Sequence, residues 1–294
     1  MEKPLVSVVT ITRNRGSLLK RCITSVLSQT YSNIEHIVVD GASDDNTDEV
    51  VAGFKDHRLR FEKLDYNWPL KETMDHAIGM CRGKYLSFLD SDDEYLPSKI
   101  EKQVALIENL PDDYGFVYCW MSFLDSNKNN HVIHVHNSQL RGDVKDEVIG
   151  EPLISGTPTL LFKTDFFKKI GGWKSVQEIG IASDWEMCAR ACQIGRVDYI
   201  PESLVNVYIN HGNVRQSESK KYYKDVYLRH IKFHTYFLTY FSNNFNRRPQ
   251  LAAYHYYGIA SNYFLLKKYS LFFKFLFKAI KCSPQITIKK FFKK

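Results

Sequence analysis

The chain has 294 residues, 44% hydrophobic and 25% charged, with 15 glycines and 9 prolines. That composition excludes collagen-like, disordered and low-complexity chains, and suits one large domain with an appendage, or two domains. The net charge of +7 hides an asymmetry: no Asp or Glu follows Asp225, and residues 226–294 hold 13 of the 40 Lys and Arg. The other 27 basic residues face 33 acidic ones, so the first 225 residues carry −6. Opposite charges predict two environments, and a basic tail suits nucleic acid, an anionic membrane surface or simple solubility.

Six cysteines (Cys22, Cys81, Cys119, Cys188, Cys192 and Cys282) show no zinc-like spacing. They read as buried, reduced thiols of a cytosolic protein. The opening MEKPLVSVVTITRN reads as a first strand rather than a signal peptide. No apolar run approaches the roughly 18 residues that a membrane span requires.

Leu5 to Thr12 is the first predicted strand, and Leu18, Leu19, Cys22, Ile23, Val26 and Leu27 then recur at helical spacing. Ile34–Asp40 is a second strand, Asp44–Phe54 a helix, Arg58–Lys63 a third strand, and Leu70–Cys81 a helix closed by Gly83. Lys84–Asp90 is a fourth strand, Pro97 opens a helix to Leu110, and Tyr114–Phe123 is a fifth strand. This alternation predicts βαβ units, a mostly parallel sheet and helices on both faces. Residues 220–294 read as helices.

Ligands of such sheets bind beyond the carboxyl ends of the strands. There the sequence places Thr12, Arg13 and Asn14, then Asp40, then Asp90 and Asp92. No GxGxxG follows the first strand and no GxxxxGK[ST] occurs, which argues against dinucleotide and P-loop chemistry. Leu89-Asp90-Ser91-Asp92-Asp93-Glu94 crowds like charges that call for a hard divalent cation, or else form a solvated turn capping the next helix. Asp40 could accept from a base imide or a ribose hydroxyl, or bond its own turn. Gly171-Gly172-Trp173 precedes Ser183-Asp184-Trp185-Glu186, where a carboxylate at a helix start could be a general base or an N-cap. Last come Tyr208 to Ser217, with His211 a candidate ligand or ordinary histidine, and Arg215 the kind of group that meets a diphosphate.

Together these segments resemble the family-2 glycosyltransferases, inverting enzymes of the GT-A fold. Val6 to Arg15 is similar to that family's first strand and loop, with Ile11 where proline is usual. Ser28-Gln29-Thr30-Tyr31 and Glu35 to Asp40 resemble its approach to a nucleoside-binding aspartate. Met74 to Tyr85 resembles its next helix, with Asp75 in place of asparagine. Leu89 to Asp93 resembles its DxD metal motif, and Gly171 to Glu186 its base segment, with Ser183 replacing a glutamate. The resemblance implies a GT-A domain over 1–217 and a basic, aromatic-rich helical appendage over 218–294.

It implies transfer of a sugar from a nucleotide-sugar donor, UDP favoured, to a glycan or lipid-linked glycan in surface polysaccharide or glycolipid biosynthesis. Asp184 is then the base. Thr12, Arg13, Asn14, Asp40, Lys71, Asp90 and Arg215 meet the nucleotide, and Asp92 with Asp90 and His211 holds Mn²⁺ or Mg²⁺. Trp185 and Thr157 lie toward the acceptor. A sugar nucleotidyltransferase would need a Gly-rich basic loop that Ile11–Ser17 lacks, whereas a non-catalytic glycan- or membrane-binding module keeping the fold is the alternative.

In the tail, Tyr254 to Pro284 faintly resembles one tetratricopeptide-type helix pair. Lys274, Lys278 and Lys281 form a stripe beside Leu271, Phe272, Phe275, Leu276 and Ile280, which suits an interfacial helix on anionic lipid. The expectation is a cytoplasmic protein, peripheral on the inner membrane face, without nucleic acid. Packing on the enzyme domain or in a homodimer stays open.

Overall fold

The computed structural model describes residues 3–154, 156–209 and 223–291. The chain runs β1 (Val6–Thr12), α1 (Gly16–Leu27), β2 (Ile34–Asp40), α2 (Thr47–Ala52), β3 (Leu59–Lys63), α3 (Leu70–Gly79), β4 (Tyr85–Phe88), β5 (Glu94–Tyr95) and α4 (Lys99–Glu108). There follow β6 (Tyr114–Asp125), β7 (His131–His136), α5 (Glu147–Gly150), β8 (Leu161–Lys163), α6 (Thr164–Lys169), α7 (Val176–Ile179), α8 (Ser183–Ile194) and β9 (Arg196–Ile209). The last part is helical: α9 (Tyr223–Tyr240), α10 (Ser242–Arg247), α11 (Ala252–Leu265), α12 (Tyr269–Cys282) and α13 (Pro284–Phe291).

Two compact units result, and no single cut separates them. The first takes residues 1–143, 155–173 and 191–211, and the second takes 144–154, 174–190 and 212–294.

In the first unit, the sheet runs β3-β2-β1-β4-β8-β6-β9-β5, with β7 also on β6. The pairs β1–β2, β1–β4, β2–β3 and β6–β9 are parallel, while β8 is antiparallel to both β4 and β6. The sheet is therefore mixed but mostly parallel, as the strand–helix alternation predicts. Every residue of β2 is buried, as is nearly all of β1, which explains their β-branched runs. Register pairs Thr12 with Asp40 at the carboxyl ends of β1 and β2.

Several boundaries differ from the sequence reading, each for a local reason. The helix expected from Asp44 begins at Thr47, because the Asp45 carboxylate accepts the Thr47 N–H at 3.0 Å and holds a turn there. Pro97 stands before α4 instead of inside its first turn. Its carbonyl accepts the Thr30 N–H at 2.9 Å, tying the end of α1 to this corner.

The second unit is built on aromatic packing. Gly258 in α11 meets α9 so closely that a Cβ there would lie 2.2 Å from Nε2 of His234. Phe233 and Phe237 of α9 are buried beside it. Among the described residues, no helix is long and apolar enough to cross a membrane.

Candidate active site

At the carboxyl end of the sheet, the loops after β1 and β2 are stitched together by their own polar groups. The Gly41 N–H donates to the Thr12 carbonyl at 2.9 Å. The Asn14 N–H donates to Ser43 Oγ at 2.8 Å, and the Asp44 N–H donates back to Asn14 Oδ1 at 3.0 Å. Asn14 (φ 51°) and Ala42 (φ 59°) both take left-handed backbone, which for an alanine costs about 1–2 kcal/mol. Strain of this kind persists where surrounding bonds over-determine it, and it gathers at binding sites.

Asp40 is fully buried at the end of β2. It accepts the Ser43 N–H at 3.0 Å through Oδ2 and the Ser43 hydroxyl through Oδ1. Its carboxylate thus shapes the β2–α2 turn, one of the two roles open to it from the sequence. Thr12 is also buried, and its Oγ1 finds no hydrogen-bond partner among the described residues. An unmatched buried hydroxyl is costly in a closed protein, so its presence at the strand ends marks a place where a ligand can complete it. Arg13 is exposed on the same loop.

The acidic run after β4 is dismantled into separate contacts. Arg15 Nη1 lies 3.0 Å from Asp92 Oδ1, and Arg21 Nη2 donates to the Asp92 carbonyl at 2.5 Å. Asp93 Oδ1 accepts the Tyr208 N–H at 3.1 Å. Glu94 Oε2 accepts the Tyr208 hydroxyl at 2.8 Å and Asn206 Nδ2 at 3.1 Å. The Arg21 guanidinium in turn covers the Tyr208 ring, 3.5 Å from its centroid. Burial, then the bond donated to Glu94, push the Tyr208 phenol up to about 12, so it remains a donor across the physiological range.

Charge compensation for the run therefore comes partly from Arg15 and Arg21, which the sequence reading passed over. The two arginines stand in plain view in the first loop and helix, but it is the pairing of β1 with β4 that sets them beside the acidic turn. Asp90 is exposed and Asp92 is buried with only an edge reached by solvent.

Carboxylate oxygens are the right donors for Mg²⁺ or Mn²⁺, which take one or two of them and fill the remaining positions with water and phosphate. Among the described residues, no three Asp, Glu, His or Cys side chains form a cation cage. Asp90 and Asp92 are the two carboxylates of this turn that could take part in holding such a cation. His211 and Arg215 lie outside the described residues.

Lys71 forms an i,i+4 pair with Asp75 on α3, partly exposed. Thr157 lies half-buried in a single 3₁₀ turn, Thr157–Thr159.

In the second unit, Asp184 sits half-buried in the first turn of α8, two residues after Ala182, whose φ is 56°. The neighbouring carboxylate is fully engaged. Glu186 accepts Arg190 Nε at 2.6 Å and Nη2 at 2.8 Å, both residues being buried, and the half-buried Tyr236 hydroxyl at 2.8 Å. Of the two acids at this helix start, Asp184 is the one with solvent access.

Trp185 is enclosed. Its ring contacts Phe233, Phe237 and Tyr254, stacks on His255 at 5.5 Å, and its indole N–H donates to the Val148 carbonyl at 2.5 Å. An indole held this way anchors α8 and presents no face to an acceptor. His255 Nε2 donates to the Ile149 carbonyl at 2.7 Å, which leaves Nδ1 to accept His234 Nδ1–H at 3.1 Å. Burial lowers the His255 imidazole to about 4 and holds His234 well below its ordinary value.

The sequence family described as Glycosyl transferase family 2 matches residues 7–170. The chain is 32% identical over 127 residues to the Escherichia coli UDP-Glc:alpha-D-GlcNAc-diphosphoundecaprenol beta-1,3-glucosyltransferase WfgD, covering 43% of this chain and 49% of that one. It spans less than two thirds of the length of the curated relatives that it matches first. Among solved structures, it resembles S. aureus TarS 1–349 in complex with UDP-GlcNAc, at TM-score 0.69 and 18% identity, over 96% of this chain and 82% of that one. A second likeness is the Pyrobaculum calidifontis mannosyltransferase PcManGT in complex with GDP-Man and Mn²⁺, at TM-score 0.62 and 15% identity, over 99% and 80%.

Proposed function

Since this chain belongs to glycosyltransferase family 2 and has the GT-A fold, we propose that it transfers a sugar, with inversion, from a nucleotide-sugar donor to a glycan or lipid-linked glycan. The observation that carries the reading is the cluster at the carboxyl ends of β1, β2 and β4. There the buried Thr12 hydroxyl, unpartnered among the described residues, the Asp40 turn and the Arg15–Asp92 pair lie within the family-matched segment.

In this reading the Thr12–Asn14 loop and Asp40 would hold the nucleoside, and Lys71 and Arg215 would serve the phosphates. Asp92 and Asp90, with His211, hold Mn²⁺ or Mg²⁺. Such a cation, when bound, stabilises the negative charge that gathers on the departing diphosphate. Asp184 takes the proton of the acceptor hydroxyl. The freed oxygen lone pair forms the new bond to the anomeric carbon as the bond to the diphosphate oxygen breaks, and the electron pair leaves on the nucleotide.

WfgD, by its name, acts on a diphosphoundecaprenol acceptor, and TarS was crystallised with UDP-GlcNAc. These two names support a UDP-sugar donor, and that of WfgD supports a lipid-linked acceptor; surface-polysaccharide synthesis at the cytoplasmic membrane face is the setting that this reading proposes.

Calorimetric titration with UDP, GDP, CDP and dTDP, each with and without Mn²⁺, tests the reading. We expect one nucleotide to bind in a cation-dependent manner, and Asp92→Ala to lose that dependence. If none of the four binds, the protein is a non-catalytic module that has kept the fold.

A further inference from the structure

Helix α12 has two apolar faces, and only one of them is used. On the packed side, Phe275 stacks on Tyr263 of α11 with ring centroids 5.6 Å apart, Phe272 lies 5.3 Å from Phe264, and Ala279 is fully buried. Phe272 and Phe275 are thus internal contacts, contrary to the lipid-facing role the sequence pattern gave them.

The other face is open. Tyr269, Phe273, Phe277 and Ile280 are spaced four, four and three residues apart, so they line one side of the helix. All four are exposed, Phe273 by 65% and Phe277 by 69%. Exposed Lys274 and Lys281 adjoin the stripe, exposed Lys267 and Lys268 precede it, and exposed Ile288 and Lys289 follow on α13.

A row of large apolar side chains left in water marks a contact surface. Its rim decides the partner. A second copy docked face to face would bring the same lysines against one another, because a two-fold contact uses one patch twice. No Asp or Glu after Asp225 is available to neutralise them. The cores of protein interfaces are also poor in lysine. A phospholipid surface answers both features at once, with acyl chains to receive the aromatic rings and anionic headgroups to meet the ammonium groups.

We propose that the open face of α12, centred on Phe273 and Phe277, seats in the interfacial layer of an anionic bilayer, the helix lying in the membrane plane. With 14 residues and three lysines, α12 is built to lie on a bilayer and not to cross it. This deepens the lipid-linked acceptor reading. Its test needs no sugar transfer, so the two can fail separately.

The experiment is flotation of the full chain with phosphatidylglycerol vesicles and with phosphatidylcholine vesicles, at low and high salt. The wild-type protein should float with the anionic vesicles, poorly with the zwitterionic ones, and less at high salt. Phe273→Ser/Phe277→Ser and Lys274→Glu/Lys281→Glu should each weaken flotation by about tenfold or more, with circular dichroism unchanged. Should the phenylalanine pair disturb folding, the lysine pair decides. Equal flotation of a folded variant overturns the proposal. So does an oligomer that the phenylalanine variant dissociates while the wild type ignores vesicles, because the occupant is then a second copy.

Discussion

Asp92 in the first unit stays in reach of change, whereas Glu186 in the second is locked away. Asp92 meets Arg15 at the edge of solvent, in a pair that a cation or phosphate can rearrange. Glu186, by contrast, is fully buried in a two-pronged pair with Arg190, capped by Tyr236. Similar carboxylates therefore do opposite work. An ion pair that water can reach is cheap to open, while separating a buried one leaves an unsolvated charge. Around Glu186, the aromatic packing on Trp185 and the neutral His234–His255 pair fix the start of α8, so that Asp184 is presented from a rigid support.

The sharpest way to break this comparison is Asp184→Asn. Transfer should fall by about 10²–10⁴-fold, while calorimetric affinity for the donor nucleotide stays the same. Loss of donor affinity would remove Asp184 from the role of base.

Next in size is Trp185→Ala, which deletes the indole on which α9 and α11 converge. It should cost about 3–5 kcal/mol, read as a lowered midpoint in thermal unfolding. A change under about 1 kcal/mol would mean that the aromatic cluster does not hold α8.

Acid should act on the second unit through its histidines. The folded His255 imidazole sits at about 4, below the ordinary 6.5. The unfolded chain therefore binds the extra proton first, and stability declines as pH falls from 6.5 toward 4. The full shift corresponds to about 3 kcal/mol. Denaturant unfolding across that range should show the decline, and His255→Asn should flatten it. An unchanged slope in the variant would place the acid sensitivity elsewhere.

The smallest effect belongs to the first unit. Arg15→Ala removes the guanidinium 3.0 Å from the Asp92 carboxylate and should tighten Mn²⁺ binding in the absence of nucleotide by about two- to fivefold, measured by calorimetry. Weaker binding would make Arg15 a support for the cation site instead of its competitor.

Much of this molecule is legible in one dimension. Strand–helix alternation fixes the α/β class, and apolar runs buried on both faces reveal β1 and β2. The motif order brings Thr12, Asp40 and Asp92 to the carboxyl ends of their strands, because all parallel strands deliver their last residues to one edge. The paired carboxylates near 90 and 184 stand out by type alone.

Three features required the tertiary structure. The sequence counts charges without saying which are matched, so Arg15 and Arg21 as partners of the acidic turn emerge only when two loops far apart in the chain are brought together. Residue type does not distinguish a surface indole from an anchor, and Trp185 became an anchor because α9 and α11 fold over it. On α12 nearly every residue is apolar or lysine, so periodicity defines no unique buried face. Contact with α11 chose Phe272 and Phe275 for the interior and left Phe273 and Phe277 outside. Pattern sets what each segment can bury, and which side it buries is decided by the neighbour that arrives.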